Sequence, residues 1–374
     1  MHIVALKELN NQEKRIALTP DSSKRLAALG AKISIESSLG LTLGYEDEDY
    51  KKAGALIQTK RETLLSGADI ILRVGQPALD EVNLLKEGCI YIGFLNPFQE
   101  QKILKALAKQ KVSSISMDMI PRTTIAQKMD ALSSQANLAG YVAVILAAQR
   151  LNKIFPMMTT PAGTLAPARV LVIGTGVAGL QAIATARRLG ARVEAFDTRP
   201  ATEEQVHSLG ARFVKIDLGE TQETQEGYAK ALSKDQIEKQ HRGIVKICAQ
   251  SDVVITTAQI FGQKAPLIIT KDILKQMKPG SVIVDLSAET GGNVEITKPG
   301  EEIEFNNVQV IGLLNLPGFV CLHASQMYTN NLANLIEYFW NKDTKSFELP
   351  LENEIIKSCL LAHAGEIIHD AFKL

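Results

Sequence analysis

Residues 122–141, RTTIAQKMDALSSQANLAGY, place Arg122, Gln127 and Asp130 within nine positions, just ahead of a small-residue apolar segment that reads as a helix. Arg122 offers planar donors, an ionised Asp130 offers only acceptors, and Gln127 offers both, so together they can hold a flat amide group. The plainer alternative is a surface salt bridge and a helix start. A second constellation lies further along. Gly174, Gly176 and Gly179 form G-x-G-x-x-G directly after the strand pattern RVLVIG and at the opening of a helical pattern. The first glycine permits a tight turn. The second lets backbone amides, those of Val177 and Ala178 among them, approach a pyrophosphate at the positive end of the helix, and the third allows close packing. Asp197 closes the next strand, RVEAFD, eighteen residues after Gly179, where a carboxylate accepts hydrogen bonds from an adenosine ribose. That charge disfavours a 2′-phosphate and so favours NAD over NADP. Arg199, beyond Thr198, is placed to receive such a phosphate instead, so both readings stay open. Thr257, Ala258 and Gln259, after the strand DVVITTA, fall on the rim where adenine or ribose would lie.

What is missing is as informative. A dehydrogenase that moves a hydride and a proton together needs an acid/base beside the nicotinamide. His207 falls on a surface-like helix, His241 ends a polar insertion, and His363 and His369 lie in the tail. His323, in the GFVCLHASQ loop, is the one histidine expected near a cleft, and a lone histidine there more often packs or hydrogen-bonds.

These residues need a scaffold. With 374 residues and 45% apolar composition the chain can bury two cores. Lysine plus arginine equals aspartate plus glutamate at 41 each, which argues against a nucleic-acid or anionic-membrane surface. Cys89, Cys248, Cys321 and Cys359 are far apart and read as reduced thiols, with no metal-ligand spacing around them. The N-terminus lacks the apolar core of a signal peptide. The longest apolar run, 138–148, falls short of the ~20 residues that span a bilayer, so no membrane span is expected. The first 120 residues alternate short strands (HIVAL, KISIES, IILRVG, IYIGF, VSSISMD) with helical stretches, and a second such series begins at Pro167. The pattern predicts an α/β protein of two doubly wound, Rossmann-like parallel-sheet domains joined by a long helix over 133–151, with a cleft between them. One domain spans 1–132 plus 325–374, including a returning helix over 325–340 and a tail that docks as a terminal extension. The other, the nucleotide domain, spans 133–324. Within it, the polar stretch 219–242 reads either as a solvated helix or as a flap anchored by Gly227 and Tyr228.

VLVIGTGVAGLQAIATARRLGARVEAFDTRP, MDALSSQANLAGY, KPGSVIVDLSAETGGN and KRIALTP together resemble the alanine dehydrogenase/transhydrogenase family, and within it the NAD(H)-binding subunits of proton-translocating nicotinamide nucleotide transhydrogenases in their split form. The resemblance covers essentially the whole chain, and its most specific block runs from Arg122 to Tyr141. It implies direct hydride transfer between NAD(H) on this chain and NADP(H) on a partner beta subunit, coupled to proton movement through a membrane-spanning subunit. It also implies a homodimer, cytoplasmic and peripheral to the inner membrane, with the tail after Ser346 approaching the membrane component. Passing a hydride from one nicotinamide to another changes no protonation state, which accounts for the missing acid/base. By the same resemblance Arg122, Gln127, Asp130 and Ser133 hold the nicotinamide end. Where alanine dehydrogenases carry a substrate lysine, a catalytic histidine and an aspartate, this chain aligns Arg73, Asn96 and Glu289, while Arg15 is common to both. The glycine motif reads GTG where the family commonly has GAG, with the threonine expected to point away from the phosphates. The rival readings are an alanine dehydrogenase-like amino-acid oxidoreductase and a non-catalytic NAD-binding regulatory subunit.

Overall fold

Short runs of apolar and β-branched residues build the first sheet, because a strand covered by helices on both faces must be apolar on both. In the computed structural model, which describes residues 1–219 and 232–373, these runs are β1 (His2–Ala5), β2 (Lys32–Glu36), β3 (Ala55–Gln58), β4 (Ile70–Leu72), β5 (Ile90–Gly93) and β6 (Ser113–Ser116). All pair in parallel, in the order β6-β5-β4-β1-β2-β3. The sequence pattern does not reveal β3, a four-residue strand in which Leu56 faces solvent. The helix Pro20–Ala28 begins where Thr19 accepts the Ser22 amide and a proline occupies the first turn, both favourable at a helix N-terminus. Ile103, Leu104 and Leu107 form the buried stripe of the helix Gln101–Lys109.

The chain divides into two compact units, Met1–Gln135 with Val320–Leu374, and Ala136–Phe319. The first boundary falls inside the helix Ala131–Arg150. This helix corrects one expectation: its 20 residues are long and apolar enough, by length and composition, to cross a membrane. Its Ala143, Val144 and Ala147 are fully buried within the protein.

In the second unit, β7 (Met158–Thr160) and β8 (Gly163–Leu165) form a small hairpin. The main sheet contains β9 (Arg169–Ile173), β10 (Arg192–Phe196), β11 (Arg212–Phe213), β12 (Val253–Thr256), β13 (Val282–Asp285), β14 (Glu302–Phe305) and β15 (Val308–Ile311), in the order β11-β10-β9-β12-β13-β15-β14. Only the β14–β15 pair is antiparallel. Strand order reverses between β9 and β12, and the crevice at the carboxyl ends of strands at such a point is where open α/β sheets bind ligands.

Three further expectations need correction. The returning helix is Cys321–Tyr338, so it starts four residues early and places His323 on a helix, exposed, and not in a loop. Residues 234–242 belong to a regular helix, Lys234–Cys248, started by a reciprocal Ser233/Gln236 capping box and anchored through buried Ile244 and Cys248; Gly227 and Tyr228 lie outside the described residues. The tail, finally, is no appended extension. After the small pair β16 (Trp340–Asn341) and β17 (Ser346–Phe347), β18 (Leu360–His363) pairs antiparallel with β6 and β19 (Glu366–Ile367) pairs with β18, completing an eight-stranded sheet. Leu361 and Ala362 are fully buried and Leu360 nearly so.

Deleting residues 360–374 is therefore expected to bare the edge of β6 and remove two leucines worth roughly 3–6 kcal/mol together. A thermal melt of the truncated chain should show a midpoint lowered by at least about 5 °C; an unchanged midpoint would mean the tail is dispensable packing.

Candidate functional site

The glycine loop is a problem of backbone crowding. β9 ends at Ile173, and Gly174 turns the chain at a φ of +93°, a conformation that side chains resist. A Cβ on Gly174 would meet the Thr257 hydroxyl at 2.6 Å, and one on Gly179 would meet the Gly174 carbonyl oxygen at 1.9 Å. Around Gly176, by contrast, a Cβ would find nothing within 4 Å. Gly176 is the exposed N-cap of the 12-residue helix Val177–Arg188, whose first amides, Val177 and Ala178 included, have no intrahelical acceptor. An open glycine over a helix N-terminus fits a pyrophosphate.

The rest of the rim serves this loop. Thr257 donates its hydroxyl to the Gly174 carbonyl at 3.0 Å, so that side chain props the turn. The Ala258 carbonyl accepts from Ser287 Oγ and from Asn293 Nδ2, each at 2.9 Å, while Gln259 is exposed. Behind them the fully buried Asp285 accepts the amides of Ser287, Asn293 and Val294 and the hydroxyls of Thr256 and Thr297, at 2.7–3.1 Å. The sequence pattern of DLSAETGGN does not reveal that Asp285 and Asn293 hold the rim. Nor does sequence reasoning single out Gly140, where a Cβ would lie 2.1 Å from the Ala178 carbonyl oxygen. A mid-helix glycine, costly by about 1 kcal/mol relative to alanine, is the available signal.

Asp197 stands at the end of β10 with its side chain 5% exposed. Thr175 donates to Oδ2 from its amide at 2.7 Å and from its hydroxyl at 3.0 Å. Arg199 donates to Oδ1 from its amide and Nε, both at 2.9 Å, and to Oδ2 from Nη2 at 2.8 Å. Burial alone would raise the carboxyl pKa, but the Arg199 guanidinium and the amide donors outweigh it and hold the group below its ordinary value. Arg199 is thus folded onto Asp197, with Thr198 half-buried between them.

The first unit carries the other set. Arg122 and Gln127 are exposed, Gln127 in the short turn Ala126–Met129, whereas Asp130 is 9% exposed. Asp130 caps the helix Ala131–Arg150 by accepting the Ser133 amide at 2.8 Å and the Ser133 hydroxyl. This start is fixed by the helix Cys321–Tyr338. Ser134 donates to Asn331 Oδ1 at 2.8 Å; Asn331 and Asn334 both donate to the Lys128 carbonyl, at 2.8 and 3.0 Å; and Gln135 bridges from the Ala324 carbonyl to Arg15. The polar run NNLAN, set in an otherwise apolar helix, is the legible sign of these supports.

The residues that separate the related chemistries also have definite places. Arg73, 2% exposed, is ion-paired to Glu8 at 3.1 Å and to Glu81 at 3.2 Å. Asn96 adopts a left-handed φ of 45°, which asparagine tolerates, and donates its side-chain amide to Gln99. Glu289, in the second unit, accepts the Asn315 amide at 3.0 Å.

The chain matches two family models: alanine dehydrogenase/PNT, N-terminal domain, over residues 4–139, and alanine dehydrogenase/PNT, C-terminal domain, over residues 143–370. It is 42% identical to the first portion of the split NAD(P) transhydrogenase subunit alpha of Rhodospirillum rubrum, over 99% of this chain and 98% of that protein. Identity to an alanine dehydrogenase of Halomonas elongata is 30%, over 88% and 85% of the two chains. The crystal structure of a transhydrogenase from Sinorhizobium meliloti superposes with a TM-score of 0.88 at 39% identity, covering 98% of this chain and all of that one.

Two measurements probe this geometry. Alanine in a helix interior ordinarily stabilises by about 1 kcal/mol over glycine, but at Gly140 the new Cβ must displace backbone, and overpacking costs about 1–3 kcal/mol. Gly140→Ala should lower the urea midpoint; a raised midpoint contradicts the contact. Asp197→Asn should destabilise at pH 7. Because the folded-state pKa lies below the unfolded value of about 3.9, the wild-type advantage exists above that value and is lost as pH falls through the lowered one. Urea titrations from pH 7 down to pH 3 should show the gap narrowing, and a gap that widens towards acid would refute the assignment.

Proposed function

Because the chain belongs to the alanine dehydrogenase/PNT family, matched over both of its domains, we propose that it is the NAD(H)-binding subunit of a proton-translocating transhydrogenase. In this reading it passes a hydride directly between NAD(H) held here and NADP(H) on a partner subunit. The nucleotide supplies the hydride chemistry; the residues of this chain bind, orient and exclude water. The helix N-terminus at Gly176 takes the pyrophosphate and Asp197 takes the adenosine ribose. Arg122 and Gln127 orient the carboxamide, with Asp130 and Ser133 fixing the helix start from which they project.

Asn96 carries the choice between the two chemistries of the family. An amino-acid dehydrogenase must move a proton as well as a hydride, and an amide side chain held by Gln99 in a turn moves none. Nicotinamide-to-nicotinamide transfer needs no such group. The extent of the match to a transhydrogenase alpha subunit, against the lower identity to an alanine dehydrogenase, supports the same reading. The working assembly in this proposal is a homodimer joined by an NADP-binding beta subunit and a membrane-spanning subunit at the cytoplasmic face of the inner membrane.

The isolated chain is expected to bind NADH well and NADPH poorly, and to oxidise no L-alanine with NAD. With the partner subunit and saturating NADH, Arg122→Ala should slow single-turnover hydride transfer on the order of a hundredfold, the cost of about 1 Å of misplacement, while NADH affinity changes little. Wild-type rates in both Arg122→Ala and Asp130→Asn would reduce this stretch to a helix start, and brisk turnover of alanine would move the chain to the sister activity.

A further inference from the structure

We propose that Thr175 is a positioning residue for ribose recognition: its hydroxyl keeps the Asp197 carboxylate in place while the Arg199 guanidinium gives way to the ribose. The inference rests on the NAD(H) reading above. Three observations carry it. Thr175 is 1% exposed, and its buried hydroxyl donates to Asp197 Oδ2 at 3.0 Å, beside its own amide on the same oxygen at 2.7 Å. The carboxylate accepts five donors in all, three on Oδ2 and two on Oδ1, against about four lone-pair positions on a carboxylate. A ribose hydroxyl can join this set only by displacing a donor.

The donors differ in how readily they leave. The amides of Thr175 and Arg199 are fixed by the backbone of the glycine turn and of the loop after β10. The Thr175 hydroxyl is buried, and withdrawing it would strand a polar group away from water. The Arg199 side chain is 15% exposed and reaches solvent, so its guanidinium can be rehydrated when it moves. Arg199 therefore exchanges and Thr175 stays. A smaller residue at position 175 would keep the amide bond and lose the hydroxyl bond, which makes the threonine a specific addition in this chain and not a generic part of the glycine motif.

The test is a binding titration of the full-length chain with NADH and with an NADH analogue that lacks the 2′-hydroxyl of the adenosine ribose. Three variants are compared with wild type: Thr175→Val, which keeps the shape without the hydroxyl, Thr175→Ser, which keeps the hydroxyl, and Arg199→Ala. Thr175→Val should bind NADH about fivefold more weakly, the worth of one net hydrogen bond, yet bind the deoxy analogue as wild type does. Thr175→Ser should restore NADH binding, and Arg199→Ala should stay within about twofold of wild type, since its side chain is absent from the bound arrangement. The proposal is overturned if Thr175→Val binds NADH normally, or if it weakens both ligands equally, which would make Thr175 a packing residue of the turn. It is equally overturned if Arg199→Ala loses more NADH affinity than Thr175→Val. Wild-type protein that binds neither ligand would defeat the NAD(H) reading itself.

Discussion

Backbone meets backbone at the start of the helix Val177–Arg188, closer than any side chain permits. The Gly174 carbonyl stands 1.9 Å from where a Cβ of Gly179 would be, and the Ala178 carbonyl 2.1 Å from that of Gly140. One contact seats the helix on the turn after β9 and the other brings the helix Ala131–Arg150 against its first turn. Glycine at 174, 140 and 179 is thus a steric requirement, whereas Gly176 has open space and is left to face a ligand. Thr257 and the Asp285 network then hold the turn from the neighbouring strands.

Charge is handled in the same local way. Asp197 is kept ionised in a buried place because Arg199 and two amides satisfy it, which an isolated carboxylate at that depth would not tolerate. Asp130 is a second nearly buried carboxylate, placed at a helix N-terminus where its charge is favoured and bonded to Ser133. Its surroundings are set by Asn331 and Asn334, far along the chain on the helix Cys321–Tyr338. Positioning of the Arg122–Ser133 block is therefore a tertiary property, while the glycine turn is largely a local one.

That difference explains what can be read in the sequence. The strand–turn–helix of 169–188 and the acid ending β10 are legible because each depends on neighbours within a few residues: apolar periodicity, glycine spacing, and a carboxylate at a strand end. The paired role of Thr175 and Arg199 is not, since hydrogen-bond direction has no sequence period. β18 is hidden as a strand because CLLAHAGEI is short and apolar, equally compatible with a buried helix, and only pairing with β6 decides it. The stretch 219–242 misleads in its second half, where the charged residues 234–242 form the solvent face of a helix whose apolar anchors, Ile244 and Cys248, lie beyond the polar segment itself.

The central claim is that this chain holds one nicotinamide against another with no proton carrier between them. Its most direct test follows a label: NADH deuterated at C4 on the transferred face, mixed in ordinary water with NADP⁺, this protein and its NADP-binding partner. Direct transfer predicts that the deuterium appears in NADPH without dilution by solvent hydrogen. NADPH that carries solvent hydrogen in place of the label, or label that is lost to water, would contradict it.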